Sequence, residues 1–512
     1  MVGLDKAKKI IDENIHKRPV LLYGDPDVDG LISLLFLTQL CEMKGVKYSY
    51  YVNNHRFHGF TQDPLALSGY LVISADFAIT QEFMQSLVDN DVMIASFDHH
   101  EVQSELINVK SSTGAEGIVI NNQYPFEPEE NQYNSGAGVV YEAFCEMYPE
   151  FKSDEREALV GLTLLSDVRP IENNANARKY LKKLYTSDTT KGYIGYLVSS
   201  TKDNDYGFGV PKLDRNYVDF TLSPRINSML RFDRTSEAID FIFGKGIQSE
   251  NFKDKQKSFV DVMLMRGKYL RLNNIHIIAF DAHDFTDYRD ADITNFIGLC
   301  CSRHKDNNGN VSTLAFSMEN GRVTRASFRG KYSDIPYRHS FKQIGIDAQG
   351  HNSAFGIQSF NPTVETWQSL DDVISDLEYM HKPTETIIEV PNLSSFALQK
   401  GLRVAQENCY VRDIYRTYIK YTGVNAKIVR ETYKYEPFSD EDYMNGKKPD
   451  KVVKNEYYKY VLDVYGNPVP SYIEYLIDGK TVKSFGVNVY EGIILPIMDK
   501  GYIAFYVRSN VN

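Results

Sequence analysis

Four acidic clusters in the first third of the chain each follow directly after an apolar run. Asp98, His99 and His100 come after a run that ends at Phe97. The other clusters are Asp25, Asp27 and Asp29 after Tyr23, Asp76 after Ala75, and Asp167 after Ser166. Carboxylates and imidazoles in such numbers are suited to divalent metals of the Mn²⁺ type. The four clusters together therefore predict a two-metal centre of the kind that hydrolyses phosphate esters.

The elements that must position these clusters alternate in type. Apolar runs predict strands at 19–23, 47–52, 70–75, 92–97 and 117–121, and helical spacing predicts helices at 30–43, 80–89, 136–148 and 154–166. Such βαβ alternation is typical of a parallel sheet. Functional groups gather at the carboxyl ends of parallel strands. We therefore expect the acidic clusters to meet at one edge of this sheet.

The rest of the chain divides into further parts, so the predicted fold class is α/β with a β-rich end. We expect a parallel-sheet domain at 1–246, a linker helix at 247–272 and a second, smaller α/β domain at 273–384, followed by a β-rich domain at 385–512. A helix is predicted at 400–420 within the last of these.

Composition narrows the class of protein. The 512 residues contain 42% hydrophobic and 24% charged residues, which predicts ordinary globular cores. Five cysteines without CxxC spacing argue against zinc ribbons and disulfide frameworks and predict a cytoplasmic location. No run reaches the roughly 18 apolar residues of a membrane span. The net charge of −11 does not exclude nucleic acid, because a cleft can be basic on an acidic protein.

Simpler explanations compete with the metal site at each cluster. The sequence from Asp25 to Gly30 matches the first half of an EF-hand loop, but Phe36 occupies the position that needs a glutamate. A polar turn that caps the next helix would explain the same cluster. Asp76 alone would be an ordinary turn residue. Asp167 opposes a helix dipole, which a bound metal would compensate.

These residues resemble the motifs of the DHH phosphoesterases, and among them the RecJ-type single-strand exonucleases. The similar segments are Gly24–Gly30, Asp76, Asp98–His100, Asn121–Pro125 with Ser135–Val139, Ser166–Val168, Ser223–Arg231, Ser327–Arg329 and Gly350–Gly356. Met229-Leu230 departs from the small-glycine pair of the family, and Gln349 replaces the first glycine of its GGH motif.

The resemblance implies two divalent ions, Mn²⁺ or else Mg²⁺. By this resemblance Asp27 and Asp29 lie on different ions, Asp76 bridges them, and His99 and Asp167 complete the ligand set. It also implies that Asp25 is a ligand or a hydrogen-bond acceptor behind the ligands. Asp98 belongs to the same catalytic set, and His100 contacts the scissile phosphate.

The later motifs imply substrate-binding groups. Ser327, Arg329 and His351, with Gly350 beside it, would hold a terminal phosphate, and Arg225, Asn227 and Arg231 would line the path of the strand or brace the two lobes. The β-rich end would hold single strands as an OB-fold does. Between residues 410 and 460 its lysines and arginines alternate with tyrosines. An amphipathic helix followed by ordinary strands with solvated lysines explains the individual residues slightly better.

The expected function is therefore 5′-to-3′ hydrolysis of single-stranded DNA by a monomer that contacts no membrane. Two alternatives stay open. One is a phosphodiesterase that acts on oligoribonucleotides or cyclic dinucleotides, and the other is an inactive RecJ-like scaffold. The filled ligand positions argue against the scaffold, and residues 223–231 argue against the small-substrate enzyme. Residues 385–512 could also dock a protein partner.

Overall fold

In a computed structural model the chain divides into two units, Met1–Lys382 and Pro383–Asn512. The residues that the structure describes are 1–53, 59–100, 106–128, 132, 134–167, 169, 175–201, 213, 217–246, 252–288, 291–332, 335–350, 352–357, 360, 363–380, 386–390, 417–421, 426–439, 442, 447–453, 456–462, 467–477, 480–484, 492–499 and 502–509.

The first lobe of the first unit is built on a six-stranded sheet. Its strands are β1 (Val20–Gly24), β2 (Tyr48–Val52), β3 (Leu71–Ala75), β4 (Met93–Asp98), β5 (Asn108–Lys110) and β6 (Glu116–Asn121), in the order β2-β1-β3-β4-β6-β5. All neighbours pair in parallel except β5 with β6. Every residue of β1, β3 and β4 is buried, as expected for parallel strands covered on both faces. The predicted parallel sheet is confirmed.

Helices cover this sheet and extend the lobe. They are α1 (Leu4–Asn14), α2 (Val28–Met43), α3 (Gln81–Asp89), α4 (Gly136–Met147), α5 (Asp154–Ser166), α6 (Ala175–Thr186), α7 (Gly192–Ser200), α8 (Ser223–Arg231) and α9 (Thr235–Ile242). Most of α2 is buried, because it packs on the sheet and on α4 and α5. The N-termini of α2 and α4 lie beside the carboxyl ends of the strands, and this placement matters for the site.

The second lobe contains a mixed six-stranded sheet in the order β11-β12-β10-β9-β8-β7. The strands are β7 (Lys268–Arg271), β8 (Ile275–Asp281), β9 (Ser312–Glu319), β10 (Arg322–Arg329), β11 (Ala348–Gly350) and β12 (Ala354–Ile357), and the helices are α10 (Phe252–Arg266), α11 (Ile297–Asn307), α12 (Tyr337–Gln343) and α13 (Val364–Met380). A core that includes Leu314, Phe328 and Phe355 fills the space under α12 and α13.

The linker-helix prediction is partly wrong. Helix α10 ends at Arg266, and Lys268–Arg271 form the edge strand β7 rather than a last helical turn. The chain turns at Gly267, where a Cβ atom would lie only 3.0 Å from Ile278. Pairing with β8 gives these residues backbone hydrogen bonds that a helix end would leave unmade. Residues 247–251 lie outside the described range.

The second unit is β-rich, as predicted. Its strands are β13 (Thr386–Val390), β14 (Thr417–Tyr421), β15 (Lys427–Tyr433), β16 (Tyr435–Pro437), β17 (Lys451–Val453), β18 (Glu456–Tyr460), β19 (Pro470–Ile477), β20 (Lys480–Ser484), β21 (Gly492–Asp499) and β22 (Tyr502–Ser509). The predicted helix at 400–420 is wrong over its last residues, since Thr417–Tyr421 pair in parallel with β13. The remainder of that predicted helix is not among the described residues. None of the helices described in either unit has the length and apolarity that crossing a membrane requires.

Candidate metal centre and anion site

Three neighbouring strands bring the first acidic clusters together. In the parallel register Gly24 of β1 pairs with Ala75 of β3, and Ala75 pairs with Phe97 of β4. Asp25, Asp76 and Asp98 each stand at the end of one of these strands. Because the strands are adjacent and end in register, their acidic residues converge at one edge of the sheet, as the sequence predicted.

The imidazole of His99 lies at the centre of the cluster. Its Nε2 atom is 3.0 Å from Oδ1 of Asp76 and 3.9 Å from Oδ2 of Asp29, and its Nδ1 atom is 3.7 Å from Oδ2 of Asp167. Candidate ligand atoms of Asp29, His99 and Asp167 all lie within 4.8 Å of one another, as do those of Asp76, His99 and His100. The structure therefore brings residues from four separate sequence clusters within reach of common cations.

Charge in this cluster is poorly compensated by the protein. Burial raises the pKa of Asp29 to about 8, and the charges of Asp167 and Asp27 contribute to the rise. Burial raises the pKa of Asp76 well above its usual value, and the negative charges of Asp29, Asp27, Asp25 and Asp167 add to this effect. Burial also lowers the pKa of His99 to about 3, which keeps its imidazole neutral and able to bind a metal. Oxygen and neutral nitrogen donors of this kind fit Mn²⁺ or Mg²⁺.

Asp76 adopts an unusual backbone conformation. Its φ angle is 69°, in the left-handed region, while its N–H still donates to the carbonyl of Phe97 at 2.9 Å. Aspartate tolerates this region better than most residues, but the conformation still costs on the order of 1 kcal/mol or more. Such strain at the end of a buried strand marks a position where the direction of the side chain matters.

Asp27 and Asp167 each have a structural contact besides their place in the cluster. Asp27 caps α2, since its Oδ1 accepts a hydrogen bond from the N–H of Gly30 at 2.8 Å. Asp167 stands at the end of α5, and Nε of Arg169 lies 3.8 Å from its Oδ2. The capping explanation for the first cluster is thus correct for Asp27, and it does not remove this residue from the electrostatic cluster. Arg169 partly offsets the unfavourable position of Asp167 in the helix dipole.

Asp98 has a different role from the other carboxylates. Its Oδ1 lies 2.7 Å from Nδ1 of His100, and its Oδ2 accepts a hydrogen bond from Asn121 at 3.1 Å. Burial alone would lower the pKa of His100, but the charge and hydrogen bond of Asp98 outweigh it and raise this pKa to about 9. Asp98 therefore orients a protonated His100, whose ring remains partly exposed.

A second group of charged residues lies in the first unit, where the two lobes meet. Burial lowers the pKa of Arg231 to about 10, and the nearby positive charge of Arg329 contributes. Within the described part of the chain neither guanidinium forms a salt bridge with a carboxylate. Arg231 binds Gln256, and Arg329 binds Ser302 and the carbonyl of Phe328. Two neighbouring cations held by neutral partners form a site suited to an anion.

Strand β10 and helix α11 shape this anion site. Ser327 and Arg329 are two residues apart on β10 and so share one face of the sheet. A Cβ atom on Gly298, in the first turn of α11, would lie 2.8 Å from Nη2 of Arg329 and 3.5 Å from Oγ of Ser327. Gly298 therefore lets the guanidinium rest against the N-terminal turn of the helix, which itself favours negative charge.

The remaining predicted site residues are Arg225, Asn227, Gly350 and His351. Arg225 and Asn227 lie on α8, with Arg225 buried and Asn227 half-buried. Gly350 has a φ of 129° and pairs with Phe355, a conformation and a close approach that favour glycine. His351 lies outside the described residues.

Sequence reasoning missed several residues that contact the candidate metal ligands. The carbonyl of Asn134 lies 3.2 Å from Nδ1 of His99, and the N–H groups of Gly136 and Ala137 donate to Asp29. Asn121 binds both Asp98 and the carbonyl of His100. In the sequence these segments stand out only as family-like stretches. The signal that could have found them is Ser135, an N-cap residue followed by glycines.

Comparison with known proteins supports this description. Residues 19–165 match the DHH family, N-terminal domain. The single-stranded-DNA-specific exonuclease RecJ of Bacillus subtilis (strain 168) is 23% identical over 261 residues, which cover 48% of this chain and 30% of that protein. The chain thus matches less than a third of the length of this curated relative.

Two solved structures share the fold. RecJ in complex with Mn²⁺ from Thermus thermophilus aligns with a TM-score of 0.62 at 14% identity, over 99% of this chain and 71% of that one. An exonuclease RecJ bound to manganese aligns with a TM-score of 0.51 at 16% identity, over 74% of this chain and 95% of that one.

The α/β fold of this chain is the fold of these RecJ structures. Residues 19–165 thus match the DHH family, and the chain is similar in sequence to one RecJ protein and in fold to others, as its motifs predicted.

Proposed function

We propose that this protein is a metal-dependent exonuclease that degrades single-stranded DNA from the 5′ end. The observation that carries the proposal is the presence in one unit of an acidic cluster around His99 and of the Arg231–Arg329 pair. The first region carries excess negative charge and the second excess positive charge, so a phosphate chain together with divalent metals would satisfy both. The sugar, the strand form and the polarity come from the resemblance to RecJ.

Asp27, Asp29, Asp76, His99 and Asp167 would hold the metals, with Asp25 behind or among them. Divalent ions held there would activate water for attack and stabilise the charge that develops on phosphate. Positive charge there would also remove the mutual repulsion that now raises the pKa values of Asp29 and Asp76. The donor set favours Mn²⁺ or Mg²⁺ and does not distinguish between them.

His100 would contact the scissile phosphate. Its side chain is partly exposed, and Asp98 fixes its ring through Nδ1, which leaves Nε2 to donate to an oxygen of the substrate. A protonated imidazole donates a stronger hydrogen bond to an anion than a neutral one does. Asp98 is therefore proposed as a positioning residue for His100 rather than as a metal ligand.

Arg231 and Arg329 would bind the terminal phosphate, with the hydroxyl of Ser327 beside them. A guanidinium presents paired N–H donors that match phosphate oxygens. A site that needs a terminal phosphate would make the enzyme begin at a strand end and would prevent cutting within the strand. His351 stays a predicted member of the terminal-phosphate site, and Arg225 and Asn227 stay predicted members of the substrate path.

The second unit would hold the outgoing or incoming strand. Among its described residues, Tyr435 and Tyr460 stack with ring centroids 4.9 Å apart, and Nζ of Lys451 lies 4.5 Å from the ring centroid of Tyr435. Aromatic rings beside lysines are typical of single-strand binding surfaces. Arg412, Tyr415 and Arg416 of the same predicted surface lie outside the described residues.

A nuclease assay with end-labelled substrates tests the proposal. Single-stranded DNA, duplex DNA, RNA and dinucleotides, each with and without a 5′ phosphate, would be offered with Mn²⁺, Mg²⁺ or a chelator. We expect mononucleotides to be released from the 5′ end of single-stranded DNA and no release with the chelator. Preferred cleavage of dinucleotides would instead favour the small-substrate phosphodiesterase, and release from the 3′ end would contradict the polarity.

A further inference from the structure

The turn that starts helix α4 touches three of the proposed metal ligands at once. This turn, Asn134–Gly138, contains residues that are all buried. Asn134 and Ser135 precede the helix, and Gly136 is its first residue. Ser135–Val139 belong to a segment that resembles the family, but none of these residues is among the predicted site residues, so their contacts with the proposed ligands need a separate explanation.

Asp29 is held by the backbone of this turn. Its Oδ2 accepts a hydrogen bond from the N–H of Gly136 at 2.6 Å, and its Oδ1 accepts one from the N–H of Ala137 at 2.9 Å. Both donors belong to the first turn of a helix, where the backbone N–H groups have no partner within the helix. The two bonds fix the carboxylate plane and leave each oxygen a second lone pair for a metal.

His99 is held by the same turn from another side. The carbonyl of Asn134 lies 3.2 Å from its Nδ1 atom, so the neutral tautomer with its proton on Nδ1 donates to that carbonyl. This leaves Nε2 free to bind a metal, on the side of Asp76. A backbone carbonyl that fixes the tautomer of a ligating histidine is a recurrent arrangement around metals.

Asp76 approaches the turn so closely that only glycine fits at position 136. A Cβ atom there would lie 2.7 Å from Cγ and 2.8 Å from Cβ of Asp76. The φ angle of Gly136 is not in the left-handed region, so its backbone would accept alanine without strain. The constraint on this position is therefore the side chain of Asp76 and not the conformation of the turn.

We propose that Gly136 is a positioning residue for the metal site, and that the Asn134–Gly138 turn sets the mutual geometry of Asp29, Asp76 and His99. This inference rests on the proposed function, because it concerns the residues that would hold the metals. Ser135 stabilises the turn without contacting a ligand. Its hydroxyl accepts a hydrogen bond from the N–H of Gly138 at 3.2 Å and shares another with Thr163 at 2.7 Å.

The test measures Mn²⁺ binding to the full, metal-stripped chain by calorimetry, with the shift in Tm on adding Mn²⁺ as a second readout. Substitution Gly136→Ala should raise the Kd for Mn²⁺ by about 10- to 100-fold, as is usual for groups that orient ligands. Gly117→Ala is the matched control, because a Cβ atom there would lie 2.7 Å from Sδ of Met84, away from every ligand. It should lower Tm and leave the Kd unchanged.

Ser135→Ala is the second variant, for the case that Gly136→Ala does not fold. Loss of the cap should loosen the turn and raise the Kd for Mn²⁺ by roughly three- to tenfold. Unchanged Kd values for the folded variants would overturn the inference while leaving the proposed function standing. Wild-type protein that binds no Mn²⁺ would overturn the proposed function, and the inference with it.

Discussion

The acidic cluster around His99 and the Arg231–Arg329 pair carry opposite charge, and the described residues compensate neither in full. In the cluster, carboxylates crowd together and raise one another's pKa. At the pair, two guanidiniums are held by Gln256, Ser302 and a backbone carbonyl rather than by carboxylates. Like charges that converge at partly buried positions are unfavourable for folding alone. The comparison indicates that one region is built to receive cations and the other to receive an anion.

The largest effect is expected from Asp76→Ala, because this carboxylate would lie between both metals. Loss of several kcal/mol of transition-state stabilisation corresponds to about a thousandfold or greater decrease in kcat/KM. The measurement is hydrolysis of 5′-phosphorylated single-stranded DNA with saturating Mn²⁺. Asp371→Asn is the control, since Asp371 is a buried carboxylate of the second lobe that binds the N–H of Asn274. Near-normal activity of a folded Asp76→Ala protein would contradict the two-metal assignment.

A smaller effect is expected at the anion site. Removing a hydrogen bond to a charged group costs about 1.5–3 kcal/mol, so Arg329→Ala should lower kcat/KM by roughly 10- to 150-fold. Removing the 5′ phosphate from the substrate should lower kcat/KM by a similar factor. The effects of this removal and of Arg329→Ala should be non-additive. Arg303→Ala, on helix α11, is the control, since Arg303 forms a salt bridge with Asp261. Fully additive effects would show that Arg329 does not bind the terminal phosphate.

The third prediction is that the acidic cluster and the Arg231–Arg329 pair are sufficient for hydrolysis without the second unit. A chain that ends at Lys382 keeps both of them and should still cleave very short oligonucleotides. It should bind long strands less tightly, since each stacked base contributes about 1–3 kcal/mol. Its affinity should also depend less steeply on salt, because fewer phosphates are neutralised. The measurement is binding to strands of increasing length at several salt concentrations, after circular dichroism has shown that the shorter chain is folded. Equal salt slopes would favour a partner-docking role for the second unit.

The smallest effect concerns a buried titratable group outside both regions. Nε2 of His304 lies 3.0 Å from Nδ1 of His276, and burial, with the charges of His276 and Arg271, lowers the pKa of His304 to about 4. Because the folded state holds it neutral, its contribution to stability is complete above about pH 6.5 and is lost as the pH falls towards 4.

Urea unfolding between pH 7 and pH 4 measures this contribution. The free energy of unfolding should fall by at most about 1 kcal/mol for each unit by which the pKa of His304 is lowered. The His304→Gln variant should show a shallower pH dependence than the wild type. Adding Mn²⁺ or phosphate should raise the free energy of unfolding of both the wild type and the variant. It should not change the difference between their pH dependences. If Mn²⁺ or phosphate abolished this difference in pH dependence, His276 and His304 would belong to the acidic cluster or to the anion site.

The amino-acid sequence by itself determined the sheet edge and most of the acidic site. Buried apolar runs that end in aspartate predict parallel strands with ligands at their carboxyl ends, and Asp25, Asp76 and His99 lie there. The local residue pattern is sufficient to predict this sheet, because the periodicity of strands and the alternation of strands with helices are local properties of the sequence. The linker helix and the helix at 400–420 were less well predicted, since pairing with distant strands decided Lys268–Arg271 and Thr417–Tyr421.

Tertiary structure alone decided which side chain faces which. Asp98 stands in the same motif as His99, yet its oxygens bind His100 and Asn121. Arg231 and Arg329 are far apart in sequence and become neighbours only when the two lobes pack. The need for glycine at position 136, at the start of α4, exists because the side chain of Asp76, which follows β3, occupies the space of a Cβ atom. Contacts of this kind depend on packing between distant segments, which the order of residue types along a chain does not specify.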